Sequence, residues 1–108
     1  MKKNILTLAL FVAAAMSVPA AEVKENWDKN CASCHGKDGK GQTKMGQKAG
    51  AKDYTDAKVQ DSFDDAKGFK AIKEGVTAEG KEKMKPYADK LTDDEIKALV
   101  AYVRTFKK

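Results

Sequence analysis

The residues with the most distinctive chemistry are two cysteines and one histidine, which stand together at Cys31-Ala32-Ser33-Cys34-His35. The chain contains no other Cys or His. Two thiols one helical turn apart can add across the two vinyl groups of a haem, and the adjacent imidazole can then ligate the iron. The C-x-x-C-H pattern is typical of this covalent attachment. The motif therefore predicts one haem c per chain, bound through Cys31 and Cys34, with His35 as an axial ligand.

Three other uses of these residues compete with haem attachment. A thioredoxin-like redox pair stands at a helix N-terminus after a β-strand, whereas residues 22–30 have a helical pattern with Val23 and Trp27 as apolar positions. A structural zinc site needs four ligands, and the chain offers only three Cys and His residues. A structural disulfide, the usual expectation for an exported protein, would leave His35 without a function. A haem-free thiol oxidoreductase using Cys31 and Cys34 stays open as an alternative.

An iron atom bound by one histidine has a further axial position, and a Met thioether there suits electron transfer. After residue 20 only Met45 and Met84 are available. Met84 is favoured because Pro86 can fix the backbone beside it, and because its sequence distance from His35 lets the chain reach the opposite haem face. Met45 would have to cross the haem edge within a short Gly-rich segment. An unbound Met84 would instead leave the open iron site of a haem-based sensor or peroxidase-like protein.

The first twenty residues have the pattern of a secretory signal peptide. Two lysines precede an apolar run over residues 5–18, and a small residue, Ala20, ends the segment where signal peptidase would cut. The apolar run is shorter than the ~18 residues that a membrane span needs, which disfavours an uncleaved anchor. We expect residues 1–20 to be removed near Ala20 and residues 21–108 to form one periplasmic domain.

The composition also argues for a bound group. The complete chain has 108 residues, of which 42% are apolar, and a formal charge of +5. Without residues 1–20, 88 residues remain at a charge of +3, and 31 of them are apolar, including eleven Ala. A chain this short often needs a metal, a disulfide or a cofactor to stabilise its fold. These numbers exclude a multidomain enzyme, and the low charge makes nucleic acid an unexpected partner.

The C-terminal segment carries the clearest helix pattern. Thr92-Asp93-Asp94-Glu95 is a capping box, and Leu91 can pack on Ile96 as a hydrophobic staple. Apolar residues then recur at helical spacing, at Ile96, Leu99, Val100, Val103 and Phe106. The pattern predicts a helix that runs almost to the C-terminus.

The middle of the chain predicts two further helices and no strand. A short helix is expected over residues 55–60 with Thr55 as its cap. A longer one is expected over residues 64–74 with Gly75 after its end. The residues predicted for the buried side of the longer helix are Ala66, Phe69 and Ile72. Residues 76–87 contain a Gly, a Pro and five charges, so they are expected to be a loop. The predicted fold class is all-α, around a central ligand.

Taken together, the motifs resemble class I cytochromes c, the small single-haem electron carriers, and most closely the short bacterial periplasmic members. The matching blocks are Cys31-Ala32-Ser33-Cys34-His35-Gly36, Asp38-Gly39-Lys40-Gly41, Met84-Lys85-Pro86-Tyr87, Leu91-Thr92-Asp93-Asp94-Glu95-Ile96 and Leu99-Val100-Ala101-Tyr102-Val103-Arg104. The likeness spans residues 21–108. It implies the cytochrome c fold, in which small helices surround one haem and the N- and C-terminal helices cross. Trp27 and Tyr102 are then expected to pack at that crossing.

One departure from the family pattern concerns the histidine. Many members carry a Pro soon after the haem motif, whose carbonyl accepts a hydrogen bond from the proximal imidazole. No Pro lies between His35 and Met84. Another carbonyl, in the segment 39–52, is therefore expected to orient the ring.

The resemblance implies a periplasmic carrier of single electrons in a respiratory chain, with His35 and Met84 as axial ligands and no enzymatic activity. Its partners would be a reductase and an oxidase that dock transiently. We expect a monomer without stable membrane insertion. The lysines expected to steer an acidic partner toward the haem edge are Lys37, Lys40, Lys81, Lys83 and Lys85.

Overall fold

The computed structural model describes residues 18–108, so that residues 1–17, which hold most of the predicted signal peptide, lie outside the described part. The elements follow in the order α1 (Ala20–Asn30), α2 (Ala32–His35), α3 (Lys44–Ala49), α4 (Ala57–Asp61), α5 (Asp65–Glu74), β1 (Val76–Ala78), β2 (Lys81–Met84) and α6 (Asp93–Arg104). Within residues 18–108, no helix has the length and apolarity to cross a membrane. The predominance of helix confirms the predicted fold class.

Helices α1 and α6 form the centre of the apolar core. Trp27 of α1 is only 2% exposed. Its ring centroid lies 5.5 Å from that of Tyr102 on α6 and 5.1 Å from that of Phe106 just beyond α6. Ile96 and Leu99 of α6 are completely buried. The predicted contact of Trp27 with Tyr102, at the packing of the two terminal helices, is confirmed.

Helix α6 begins at the predicted capping box. The Thr92 hydroxyl accepts a hydrogen bond from the Glu95 N–H at 3.2 Å, and the Glu95 carboxylate accepts one from the Thr92 N–H at 2.9 Å. The Asn26 side chain of α1 donates to the same carboxylate at 3.1 Å. These hydrogen bonds lower the pKa of Glu95 and therefore favour the charged, accepting form. One carboxylate thus caps α6 and ties it to α1.

Residues 76–84 form an antiparallel hairpin, so the prediction of a loop without strands is wrong there. Val76 pairs with Met84, and Ala78 pairs with Lys81. Glu79 and Gly80 form the two-residue turn, with φ values of 56° and 72°, as a hairpin turn that matches the strand twist requires. The strands are short and mostly exposed, and consequently the sequence lacks the apolar alternation that predicts a strand.

The two middle helices lie close to their predicted positions. Helix α4 is capped by Asp56, whose carboxylate accepts from the Lys58 N–H at 2.9 Å, and not by Thr55 as predicted. The Thr55 hydroxyl is engaged elsewhere, because it donates to Asp53 at 2.6 Å. Helix α5 starts after its Asp64 cap and ends before Gly75, as predicted.

Only part of the predicted buried side of α5 is correct. Ile72 is 8% exposed and Phe69 is half-buried against the core, whereas Ala66 is exposed. Ala66 precedes Ile72 by six residues and therefore lies about 120° around the helix from it. Helix α5 thus contacts the core along a narrow stripe that leaves Ala66 in solvent.

Helix α3, for which the sequence gives no apolar periodicity, packs against α2. Its cap residue Thr43 accepts from the Gly46 N–H at 2.9 Å. The Thr43 hydroxyl also lies 2.7 Å from the Ser33 carbonyl and 2.9 Å from the Cys34 carbonyl, to which it donates. A Cβ at Gly46 would overlap the Cys34 carbonyl oxygen. The close approach of α3 to α2 therefore requires glycine at this position.

Gln60 and Arg104 fasten α4 to α6. Gln60 is a buried polar side chain, 3% exposed. Its Nε2 donates to the Tyr54 carbonyl at 2.7 Å and to the Val103 carbonyl at 2.9 Å, while its Oε1 accepts from Arg104 at 2.9 Å. Arg104 also lies over the Phe63 ring, 4.2 Å from its centroid. The position of the segment that carries Tyr54 is therefore set by α6.

Substitution Gln60→Ala should destabilise the protein because the Tyr54 and Val103 carbonyls lose the hydrogen bonds that the Gln60 amide donates, and Arg104 loses one of its acceptors. We expect a loss of about 2–4 kcal/mol in the free energy of unfolding, measured by urea titration. The control is Gln47→Ala, since Gln47 is exposed and bonds only to the Gln42 carbonyl; it should change stability by less than about 0.5 kcal/mol. Equal stability of the two variants would contradict this role of Gln60.

Substitution Gly46→Ala should force α3 away from α2. The free energy of unfolding should fall by about 1–3 kcal/mol, as is typical of overpacking. The matched control is Gly68→Ala in α5, another helical glycine. There a Cβ would meet its nearest atom, in the Phe63 side chain, at 3.3 Å, and Ala has about 1 kcal/mol better helix propensity than Gly. Urea unfolding of both variants tests the comparison; a Gly46→Ala variant as stable as Gly68→Ala would refute it.

Candidate haem site

The Cys31–His35 segment forms one helical turn that follows α1 directly. Cys31 ends α1, with its N–H donating to the Trp27 carbonyl at 2.8 Å. The Cys31 carbonyl in turn accepts from the N–H groups of Cys34, at 3.2 Å, and His35, at 2.9 Å. Both thiols are free. The structure thus brings together all three residues that the motif singles out.

Trp27 fixes the end of this turn. Its indole N–H donates to the Gly36 carbonyl at 3.0 Å in a buried hydrogen bond. Gly36 has a φ of 78°, a conformation that favours glycine and lets the chain leave the helix immediately after His35. The residue that anchors α1 to α6 therefore also anchors the haem motif.

The His35 ring lies close to two aromatic rings. Its centroid lies 5.6 Å from that of Trp27 and 5.5 Å from that of Tyr54. Its Nδ1 is buried and has no hydrogen-bond partner in the described part of the chain. The expectation that a carbonyl of segment 39–52 orients the ring is therefore not met in this structure. One carbonyl of that segment, at Gly39, accepts from the Tyr54 N–H at 2.9 Å instead.

Tyr54 is a site residue that the sequence does not reveal. It is the second residue of the acidic segment 53–65, just after the lysine-rich segment 37–52, and belongs to no motif or periodic pattern. Its only signal in the sequence is that it is an aromatic residue with charged and polar neighbours. Tertiary packing brings its ring to His35, and the burial raises the pKa of its phenol.

The protonation of the site suits a metal-bound imidazole. Burial lowers the pKa of His35, which favours the neutral ring whose lone pair can ligate iron. Burial, with a smaller effect of Cys34, raises the pKa of Cys31 to about 12. Reactive thiols of disulfide oxidoreductases have lowered pKa values, so Cys31 in this environment lacks the character of an attacking thiol. Two free thiols beside a neutral imidazole fit the attachment of haem c.

The two candidate methionines differ in their surroundings. Met84 is the last residue of β2 and packs, half-buried, against the apolar core. Met45 lies on α3 and is 59% exposed. Exposure of this size leaves the Met45 thioether largely in water, whereas the Met84 side chain is already directed toward apolar surroundings.

Comparison with known proteins identifies the family. The family model for cytochrome c matches residues 20–107. The solved structure of the KustC0563 c-type cytochrome is similar to this chain, with 39% identity, a TM-score of 0.71, and coverage of 79% of this chain and 96% of that chain. A tyrosine-to-phenylalanine mutant of Kustc0563 shares 38% identity and a TM-score of 0.69, with 79% and 98% covered. Among curated proteins no significant match was found. On the combined evidence of motif, fold and relatives, the chain belongs to the cytochrome c family and carries one covalently bound haem c.

Proposed function

We propose that the protein is a periplasmic carrier of single electrons, with His35 and Met84 as the axial ligands of its haem. The observation that carries the proposal is the half-buried His35 ring beside two free thiols, in a chain of the cytochrome c family. When bound, the haem supplies one-electron chemistry by alternating between its ferric and ferrous states. The proposed role needs no substrate site and no enzymatic step.

The protein's own residues give the site its rigidity. Cys31 and Cys34 would hold the haem covalently, and Trp27 fixes the turn that carries them through its hydrogen bond to Gly36. His35 would ligate the iron in the orientation imposed by its aromatic neighbours. A ligand set that stays in place during oxidation and reduction keeps the structural change small, as rapid electron transfer requires.

Met84 is proposed as the second axial ligand because its backbone is fixed on both sides. Its pairing with Val76 holds the residue at the end of the hairpin. On the other side, Pro86 has a fixed φ and restricts the residue before it. Met84 is also the less exposed of the two candidate methionines. A bound Met84 disfavours the sensor or peroxidase-like alternative, which needs an open iron site.

We also propose that the chain is exported and that residues 1–20 are removed. Pro19 caps α1, and its carbonyl accepts from the N–H groups of Glu22 and Val23 at 3.0 Å. Cleavage after Ala20 would remove this cap and leave the helix to begin at Ala21. The anchoring contact of Trp27 lies two turns further on and does not depend on the removed residues.

Substitution Met84→Ala should abolish the long-wavelength Met-to-iron band of the ferric protein and permit CO binding to the ferrous protein. Loss of the soft thioether should also lower the reduction potential by on the order of 0.1 V. The material is periplasmic protein, whose mass should equal residues 21–108 plus one haem. Met45→Ala is the control and should match the wild type. An unchanged spectrum in Met84→Ala, with the band lost in Met45→Ala, would assign the ligand to Met45.

Five lysines are proposed to steer an acidic redox partner, namely Lys37, Lys40, Lys81, Lys83 and Lys85. Within residues 18–108 none of them forms an ion pair, so their charges are available to a partner. Lys81 and Lys83 lie on β2, whose last residue is Met84. A positive field near the proposed ligand would raise the rate of encounter with an anion rather than the affinity.

Oxidation of the ferrous protein by ferricyanide, an anionic probe, should slow by about tenfold or more as salt is raised from low to high concentration. The double substitution Lys81→Gln and Lys83→Gln should reduce this salt dependence. The control replaces Lys24 and Lys70, which pair with Asp28 and Glu74, and so alters net charge equally. The steering role is excluded if both double variants show the same salt dependence.

A further inference from the structure

Tyr87 is a buried side chain to which the proposed function assigns no role. Its ring belongs to the apolar core and is 6% exposed. Its hydroxyl donates to the Asn30 carbonyl at 2.8 Å. Asn30 is the last residue of α1 and immediately precedes Cys31. The hydrogen bond therefore reaches the turn to which the haem is attached.

The Asn30 carbonyl is free to accept this bond because the helix is interrupted there. In a continuous helix the Cys34 N–H would donate to Asn30. Here it donates to the Cys31 carbonyl instead, at 3.2 Å. A helix-end carbonyl without a partner in its own helix needs another donor, and the Tyr87 hydroxyl supplies one.

The backbone of Tyr87 is fixed independently of its side chain. Its N–H donates to the Ile72 carbonyl of α5 at 3.0 Å. Its carbonyl accepts from the N–H groups of Lys90, at 3.0 Å, and Leu91, at 2.9 Å, in the turn that leads into α6. The position from which the Tyr87 hydroxyl reaches α1 is therefore set by α5 and by the turn that precedes α6.

Met84 stands three residues before Tyr87, and the connection between them is short and stiff. It consists of Lys85 and Pro86. The Pro86 ring fixes its own φ and restricts the backbone of Lys85. A displacement of Tyr87 would therefore be passed to Met84 rather than absorbed between them.

We propose that the Tyr87 hydroxyl is a positioning group that ties the Met84 segment to the haem-attachment turn and thereby keeps the Met84 sulfur on the iron. The inference rests on the proposed ligation by His35 and Met84. The Tyr87–Asn30 bond joins the segment that carries the two thiols to the segment that carries the Met84 thioether. Without it the two segments can separate while each retains its own backbone hydrogen bonds, and an external ligand then competes more easily with Met84.

The test compares Tyr87→Phe with Tyr102→Phe in the haem-loaded protein. Both remove one phenolic oxygen near α1, from the buried Tyr87 ring and from the half-buried Tyr102 ring. The Tyr102 hydroxyl makes no hydrogen bond to any residue between 18 and 108, so it is a matched control.

The measurement is the rate at which imidazole displaces Met84 in the ferric protein, followed by loss of the Met-to-iron band. Tyr87→Phe should exchange about 3- to 10-fold faster than the wild type, as expected for one net hydrogen bond. Tyr102→Phe should stay within about twofold of the wild type.

The possible outcomes separate this inference from the proposed function. A wild-type spectrum without the Met-to-iron band overturns both. A wild-type spectrum with the band, together with equal exchange rates in the two variants, overturns the inference alone. Urea unfolding of the same samples identifies a purely structural role: a Tyr87→Phe variant that unfolds at lower urea but exchanges at the wild-type rate also overturns the inference.

Discussion

The hydrogen bond from the Trp27 indole to the Gly36 carbonyl couples helix packing to the haem site. Trp27 is buried between α1 and α6, so its position is determined by the core and not by the motif. Because its N–H reaches the residue after His35, the turn carrying the thiols is fixed at its C-terminal end. The bond from Tyr87 to Asn30 fixes the other end. The haem motif is therefore short in sequence but supported from both sides by distant segments.

The histidine of this site contacts aromatic rings and not a hydrogen-bonding carbonyl. Hydrogen bonding from the second ring nitrogen normally fixes a metal-bound imidazole and increases its basicity. In this structure Nδ1 of His35 lacks such an acceptor, and the rings of Trp27 and Tyr54 flank the imidazole instead. Tyr54 is itself held through its carbonyl by Gln60.

The small core explains why so much of the structure converges on the haem motif. The largest fully buried side chains are Trp27, Ile96 and Leu99, all from the two terminal helices. Helices α2, α3 and α4 have only four to six residues, and α4 is held to α6 by the polar bonds of Gln60 and Arg104. A macrocycle attached, as proposed, at Cys31 and Cys34 would add the apolar surface that so few large side chains cannot supply.

The sequence by itself identified the Cys31–His35 motif, the capping box at Thr92 and the pairing of Trp27 with Tyr102, because each depends on residue types at short, regular spacing or on a family pattern. It missed the hairpin before Met84, whose strands are too short and exposed to show alternation. It also missed the contact of Tyr54 with His35 and the bond of Tyr87 to Asn30. These last features join residues 19 and 57 positions apart. Only tertiary packing decides such contacts, because local spacing carries no information about which distant segments meet.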